Sequence, residues 1–372
     1  MSLRKISCPK PLKINARRAL ADLTVNSLPS GCGKALSCML EIKLMNARTN
    51  LAAILLGGVV ITGAILRPAP AAEAVERPKV LGVAHMAVYV KDLAKTRKFY
   101  QDFLGYEEAF TLPPKGGGPG VRILFIKVND HQYFEIFNEA DRGEGQLNHI
   151  SFYTDNADQM YSYLKSKGIE VMGDKGAVGK GQTLNKNFNV KDPDGHIVEI
   201  VEYMPDSWTA REYGKKMPAT RISDHIMHVG VLVGDLDKST GFYGGILGFK
   251  EFWRGSGSPR MLSWVNMRPS EGQDYLEFML YNALPAPDAR GTKNHASLTI
   301  PDADKALEEM KKRAAKVGYD KEIVIQTGVN RKRQINLYDP DGTRIELMEP
   351  NTVDGQPAPN STAPVPHPTQ KQ

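Results

Sequence analysis

The chain has 372 residues, of which 41% are hydrophobic and 24% are charged, as is typical of a soluble globular protein with two or three domains. The net charge of +6 comes from residues 1–48, which hold nine Lys or Arg and two Asp or Glu, so the remainder carries 39 basic and 40 acidic residues. Because a nucleic-acid-binding face needs basic residues clustered in the folded part, we predict no nucleic-acid partner. All three cysteines (Cys8, Cys32 and Cys38) lie in the same N-terminal stretch, which excludes disulfides and cysteine chemistry from the body of the chain.

The first 74 residues differ in character from the rest. Residues 1–44 lack sustained periodicity, and we predict a disordered or misassigned leader, with Met45 as the true start. Residues 45–74 contain a short basic start, an apolar run of 16 uncharged residues at 51–66, and the small-x-small site Ala72-Glu73-Ala74. This order is typical of a secretory signal peptide, and the run is shorter than the roughly 20 residues that cross a bilayer. We therefore predict an exported protein, periplasmic or secreted, with a membrane-anchored one as the alternative if 51–66 is not cleaved.

Four units of one helix and several strands follow each other along residues 81–350. After a linker at 75–80, the first unit has strands at 81–90, 107–112, 121–128 and 132–138 and a helix at 94–104. The second has strands at 149–154, 170–172, 183–190 and 196–203 and a helix at 157–167. After a connection at 205–222, the third begins with a strand at 225–233 and ends with one at 274–281, and the fourth has strands at 296–300, 322–325, 334–338 and 343–349 and a helix at 303–315. Residues 351–372 are rich in Pro, Ala, Thr and Gln, and we predict that they are disordered.

The chain contains an internal repeat. The stretch 85–106 returns at 228–249 with the same spacing, because His85 and Tyr100, like His228 and Tyr243, are 15 positions apart. In the second copy we expect Asp235 or Asp237 to cap the helix. The two copies are 143 positions apart, so the repeat predicts an α+β protein of two domains, at 81–204 and 223–350, each made of two βαβββ modules.

Polar residues occupy matching strand positions in the two halves. They are His85, Glu135, His149 and Glu199 in the first half and His228, Glu277, His295 and Glu346 in the second. Their neighbours along each strand are hydrophobic, so each polar side chain is expected to point away from the helix-covered face, into the concave face of its sheet. A carboxylate inside a sheet is costly unless it is paired or binds a metal.

These eight residues predict a divalent-metal site in each half. A single strand histidine is usually structural, but the agreement between the halves favours a shared ligand role. Imidazole and carboxylate ligands suit Fe, Mn, Ni, Co or Zn, and Glu199 or Glu346 could leave the metal to act as a base. The ligands come either from the adjacent modules of one half or from modules in different halves. The other histidines, at positions 131, 196, 225 and 367, are assigned no role.

Several motifs resemble those of the vicinal oxygen chelate superfamily, which includes glyoxalase I, bleomycin-resistance proteins and extradiol ring-cleaving dioxygenases. They are the His-x-x-Val-x-Val openings followed by Phe-Tyr and Leu-Gly, the Asn-His pairs at 148–149 and 294–295, and the Asp-Pro-Asp-Gly turns at 192–195 and 339–342, each followed by a Glu. The resemblance implies two glyoxalase/dioxygenase-like domains in which paired βαβββ modules curl around a divalent metal. It also implies, as in glyoxalase I, one His and one Glu from each of two modules.

The resemblance favours a metal-dependent lyase or isomerase acting on a small oxygenated substrate. One alternative is an extradiol-type dioxygenase with two His and one Glu as ligands. Members of that group carry another His shortly before the Asp-Pro-Asp-Gly-like turn, and neither 184–191 nor 329–334 contains one. The other alternative is a non-enzymatic binder that sequesters a ligand, like the resistance proteins. The expected partner is a small-molecule substrate, with a homodimer as an option.

Overall fold

The computed structural model describes residues 75–139, 145–291 and 293–367. The predicted leader at 1–44 and the predicted signal peptide or anchor at 45–74 lie outside these residues. Among the described residues, no helix is both long enough and apolar enough to cross a membrane.

The first half forms one eight-stranded mixed sheet. Its strands are β1 (Val80–Tyr89), β2 (Glu107–Leu112), β3 (Ile123–Lys127), β4 (Tyr133–Phe137), β5 (Leu147–Thr154), β6 (Gly179–Lys180), β7 (Lys186–Lys191) and β8 (Ile197–Glu202). Their order across the sheet is β2-β3-β4-β1-β5-β8-β7-β6. Strand β1 pairs in parallel with β4 and antiparallel with β5, so the β1–β5 ladder joins two βαβββ modules into one sheet. The helices are α1 (Leu93–Arg97, continued by π-helical turns over Lys98–Phe103), α2 (Ala157–Ser166) and the short α3 (Trp208–Arg211).

The second half repeats this topology. Its strands are β9 (Ile226–Val233), β10 (Phe249–Gly255), β11 (Trp264–Pro269), β12 (Tyr275–Leu280), β13 (His295–Thr299), β14 (Ile325–Thr327), β15 (Lys332–Tyr338) and β16 (Arg344–Thr352), in the order β10-β11-β12-β9-β13-β16-β15-β14. Its helices are α4 (Leu236–Thr240, continued by π-helical turns over Gly241–Ile246) and α5 (Ala303–Val317), with a 3₁₀ turn at Pro287–Ala289. The predicted α+β fold of four βαβββ modules in two domains is confirmed.

The repeated helix starts are set by capping aspartates. The Asp92 side chain accepts hydrogen bonds from the backbone N–H groups of Ala94 and Lys95, and the Asp235 side chain accepts one from Lys238. Each satisfies N–H groups that the first turn of a helix leaves without partners. Of the two predicted caps in the second copy, Asp235 takes the position.

The helices cover one face of each sheet and leave the other face concave. In β4, Phe134 and Ile136 are fully buried in the main apolar cluster, which includes side chains of both halves. Glu135 lies between them and points to the opposite face, as strand alternation requires. The halves also meet through aromatic contacts: Phe103 stacks on Tyr319 with ring centroids 4.6 Å apart, and Phe152 packs edge-on against Phe249 at 5.1 Å.

The two Asp-Pro-Asp-Gly turns connect the halves. The buried Tyr243 hydroxyl donates to Asp192 Oδ2 at 3.0 Å, and His196 Nδ1 lies 2.9 Å from the same oxygen. The Gly234 N–H donates to Asp194 Oδ1 at 3.0 Å. The second turn makes the equivalent contacts to the first half, where the Lys91 N–H donates to Asp341 Oδ2 at 3.2 Å. Tyr100 faces Asp339, and burial together with the Asp339 carboxylate raises the pKa of Tyr100. The turn motif therefore ties each half to the other.

Three predicted elements differ in the structure. The strand expected at 322–325 begins only at Ile325 and runs to Thr327. The strand expected at 170–172 is reduced to a single bridge between Val171 and Val190, because the following stretch turns at Gly173 and Gly176, both with positive φ. A two-residue strand, β6, forms further along instead.

The prediction of disorder at 351–372 is wrong for residues 351–367, and 368–372 lie outside the described residues. The Ser361 N–H donates to Arg254 O at 2.9 Å, and the Leu262 N–H donates to Pro364 O at 2.8 Å. The prolines favour an extended chain but keep their carbonyl acceptors, so the segment can lie along β10, the edge strand of the second sheet.

Candidate metal centre

The first quartet lies on the four central strands of the first sheet. His85 is on β1, Glu135 on β4, His149 on β5 and Glu199 on β8, and these strands are neighbours in the order β4-β1-β5-β8. All four side chains are buried on the concave face. The candidate ligands thus come from the two modules of one half, and the alternative that joins His85 and Glu135 to residues of the other half is wrong.

The four side chains converge on one point. The two imidazole Nε2 atoms, of His85 and His149, lie 2.8 Å apart. Glu135 Oε2 lies 3.1 Å from His85 Nε2 and 3.3 Å from His149 Nε2, and Glu199 Oε2 lies 2.9 Å and 3.5 Å from the same two atoms. Around a metal with bonds of about 2.0–2.2 Å, ligand atoms at right angles are about 3 Å apart, so these separations fit a common divalent ion.

Neighbouring asparagines orient two of the four groups. Asn148 Oδ1 lies 2.8 Å from His149 Nδ1, so it can accept a hydrogen bond from the Nδ1–H group. The Nε2 lone pair of His149 is then directed at the centre. Asn187 Nδ2 donates to Glu199 Oε1. The other oxygen of that carboxylate, Oε2, is buried without a well-aligned hydrogen bond. An oxygen in that state beside two imidazole nitrogens is suited to a metal bond.

The two imidazoles and the two carboxylates of this quartet shift one another's pKa values. Burial alone would lower the pKa of His85, but the carboxylates of Glu199 and Glu135 outweigh it and raise the pKa to about 10. The pKa of His149 is also raised, since the same carboxylates outweigh burial. Burial would raise the pKa values of Glu135 and Glu199, but the two histidines lower both.

We expect the metal affinity of this site to rise with pH. Because the pKa of His85 is about 10 without metal, its imidazole carries a proton at pH 7–9 that a metal must displace. Each proton released increases the affinity about tenfold per pH unit, and His85 contributes one such proton. Competition titrations with Mn(II) at pH 7, 8 and 9 measure the slope, and a pH-independent affinity would contradict it.

A cavity of about 180 Å³ opens onto the first quartet. His85, Glu135 and Glu199 form part of its lining. The remaining wall is aromatic on one side and polar on the other, from Phe110, Phe125 and Tyr133 and from Arg122, Gln182 and Asn185. A small molecule in this space would touch the quartet directly.

The second quartet occupies the corresponding strands β9, β12, β13 and β16 but is arranged differently. The Nε2 atoms of His228 and His295 lie 3.0 Å apart, and Glu346 Oε2 lies 3.5 Å from His228 Nε2. These three side chains offer atoms within 4.8 Å of one another. Glu277 is not in that group, although its Oε1 lies 3.6 Å from His295 Nε2.

The electrostatics of the second quartet are reversed. Burial and the nearby Arg344 guanidinium hold the pKa values of His228 and His295 well below their usual range. Burial and the Glu346 carboxylate raise the pKa of Glu277 to about 8, and burial raises that of Glu346. The imidazoles are therefore not held as cations, because no imidazole–carboxylate contact here is shorter than 3.5 Å.

Sequence reasoning missed three residues of these sites. Sequence patterns place Asn148 in an Asn-His pair but give no signal for its contact with His149, because successive strand residues point to opposite faces. Asn187 alternates with the buried Phe188 along β7, which places it on the concave face. Arg344 stands two positions before Glu346 on β16, so strand alternation places the two side chains on the same face and could have indicated that Arg344 lies at the site.

Comparisons with known proteins match both halves. The family model described as the Glyoxalase/Bleomycin resistance protein/Dioxygenase superfamily matches residues 82–200 and 225–347. The probable lactoylglutathione lyase, chloroplastic, of Arabidopsis thaliana is 27% identical over 168 residues, which cover 43% of this chain and 42% of that protein. The match thus spans less than half the length of that relative.

Two solved structures illustrate the fold. A mutant of the homoprotocatechuate 2,3-dioxygenase of Brevibacterium fuscum aligns with a TM-score of 0.55 at 16% identity, covering 78% of this chain and 76% of the other. The Mn(II)-bound glyoxalase from Novosphingobium aromaticivorans aligns with a TM-score of 0.56 at 16% identity, covering 79% and 89%. At these identities, the likeness shows the fold alone.

Proposed function

This chain belongs to the glyoxalase/bleomycin resistance protein/dioxygenase superfamily, and from that premise we propose that its first half is a metal-dependent lyase or isomerase of the glyoxalase I type. The observation that carries the proposal is the convergence of two imidazoles and two carboxylates on one point beside a cavity. This donor set suits Mn, Fe, Ni, Co or Zn. The substrate class is a small molecule with adjacent oxygen atoms.

The residues of the first half divide the work. A bound divalent ion would polarise the adjacent oxygens of the substrate and so make a neighbouring C–H group more acidic. Glu199 is placed to move that proton, since it lines the cavity and Asn187 fixes its other oxygen. His85, His149 and Glu135 would hold the ion, and the aromatic side chains of the cavity wall would contact the substrate.

Two features favour this chemistry over ring cleavage. The first site offers a fourth candidate ligand, Glu135, beyond the two histidines and one carboxylate typical of non-haem iron dioxygenases. The stretch before the first Asp-Pro-Asp-Gly turn presents Asn187 at the site and contains no histidine. A dioxygenase is therefore the second candidate, which the common fold supports.

The test is turnover by the Mn(II)-loaded full-length chain with the adduct of methylglyoxal and glutathione, followed by thioester absorbance. We expect activity, and we expect Glu199→Gln to lower kcat by about 10²–10⁴-fold while an amide oxygen keeps the metal bound. Glu170→Gln, the same change at an exposed position of the same half, serves as the control.

Other results would contradict the proposal. Oxygen uptake with catechols and no thioester would identify a dioxygenase instead. A folded chain that binds no metal and turns over no substrate would point to a ligand-sequestering protein.

The setting of the enzyme is also part of the proposal. The signal-like segment at 45–74 supports an exported protein, or a membrane-anchored one if 51–66 is retained. A small-molecule substrate is the proposed partner, and a homodimer is an option that size-exclusion measurements would test.

A further inference from the structure

The second quartet is sealed in a way that the first is not. His228 and His295 are 0% exposed, whereas His85 and His149 are 7% and 6% exposed. A cavity of about 230 Å³ lies over the second quartet, but neither histidine contributes to its lining. Its floor is formed by Glu277, Glu346 and Arg344 instead. A metal ion in this cavity would therefore lie beside the Arg344 guanidinium as well as the two carboxylates, with neither imidazole exposed to it.

Arg344 contacts His295 on the side opposite to the shared centre. Its Nη2 lies 2.6 Å from His295 Nδ1. A guanidinium has only donors, so this contact needs the lone pair of Nδ1 and leaves the ring proton on Nε2, the atom that faces His228. The Lys293 carbonyl lies 2.9 Å from the same Nδ1 and can only accept, so one nitrogen cannot satisfy both neighbours. The charged and shorter contact is the stronger of the two.

The corresponding position in the first half has no charge. In the second sheet His295 pairs with Arg344 on the adjacent parallel strand. Ser297 pairs with Glu346 in the second half as Ser151 pairs with Glu199 in the first, so the counterpart of Arg344 is Ile197. In the first half His149 Nδ1 therefore faces an acceptor, Asn148 Oδ1, and among the residues that the structure describes no guanidinium contacts that nitrogen.

The His295 ring also occupies a different place. A Cβ atom built on Gly230 would lie 2.0 Å from that ring, so the ring fills the volume that a methyl group would take. Gly230 pairs with His295 as Ala87 pairs with His149 in the first half, where the methyl group is present. The missing Cβ lets His295 lie in a position that His149 cannot adopt.

We propose that Arg344 excludes divalent metals from the second half, so that each chain holds one metal ion, bound by His85, Glu135, His149 and Glu199. The guanidinium acts in two ways. It holds His295 in the tautomer whose Nε2 carries a proton and cannot bind a metal. Its positive charge also repels a divalent cation from the second quartet. Arg344 is thus a residue that determines metal selectivity between two otherwise matching sites.

The test measures metal content, so it does not depend on the proposed reaction or on any substrate. Full-length protein is loaded with Mn(II), freed of excess ion and analysed for metal per chain. We expect one Mn(II) in the wild type, one in His295→Ala, and two in Arg344→Ile, which copies the first-half residue. Two ions in the wild type, with one lost in His295→Ala, would overturn the proposal.

Two further variants test whether a guanidinium has the same effect in the first half and whether the second half binds metal on its own. Ile197→Arg places the guanidinium in the first cup and is expected to lower the metal content to near zero, with circular dichroism confirming the fold. His85→Ala combined with Arg344→Ile reports on the second cup alone, where one ion is expected. A folded double variant that binds no metal would remove Arg344 as the cause, whatever the first site does.

Discussion

His85→Ala is expected to weaken Mn(II) binding by the full-length chain by more than about 100-fold. The His85 Nε2 atom lies within 3.1 Å of the donor atoms of His149, Glu135 and Glu199, so it contacts each of the other three groups of the site. Changes to groups that only orient a ligand cost about 10–100-fold in metal affinity, so loss of a ligand itself exceeds that range. Equilibrium dialysis followed by elemental analysis measures the affinity.

The matched control is His131→Ala. His131 is exposed in the turn between β3 and β4, stacks on Tyr153 and is not part of the metal-binding group. We expect its metal content to equal that of the wild type. If His85→Ala kept the wild-type affinity while its fold was intact, the quartet would not be the metal site.

Asp192→Ala is expected to lower the free energy of unfolding by about 3–5 kcal/mol. The buried Asp192 carboxylate accepts hydrogen bonds from the backbone N–H groups of Asp194 and His196 through Oδ1, and Oδ2 contacts the Tyr243 hydroxyl and His196 Nδ1. Each buried donor left without a partner costs about 1–3 kcal/mol, and two side-chain donors lose theirs. Urea denaturation of the full-length chain measures the change.

Two companion variants make this result specific. Tyr243→Phe removes one donor and leaves the turn intact, so a smaller loss of about 1 kcal/mol is expected. Asp237→Ala alters an exposed aspartate on the same helix and is expected to stay within about 0.5 kcal/mol of the wild type. A loss below 1 kcal/mol in Asp192→Ala would show that the turn does not hold the halves together.

The architecture was accessible from the sequence because local signals and the repeat agreed. Alternation placed Glu135 between two core residues, so its direction followed from strand geometry alone. In the second copy the predicted Asp235 cap marked the start of α4, and the common His-to-Tyr spacing related the opening strand to its helix in both copies. Two such units, found twice in the same order, left few other topologies.

What remained out of reach depends on contacts between distant parts of the chain. Strand pairing decides whether His85 meets His149 or His295, and no local pattern reports it. The role of the Asp-Pro-Asp-Gly turns was missed because their partners, such as Tyr243 for Asp192, lie in the other half. The tail at 351–367 was misjudged because its composition does not reveal the exposed edge of β10 that it covers.

The crossed turns have a consequence for how freely the two halves can diverge. Because each half supplies hydrogen-bond partners that the other half needs, neither is expected to be self-sufficient as a separate polypeptide. The second half can therefore lose its catalytic equipment and still be indispensable as a scaffold. The residues of its quartet are free to vary, while the Asp-Pro-Asp-Gly turn and the tyrosine that contact the first half are not.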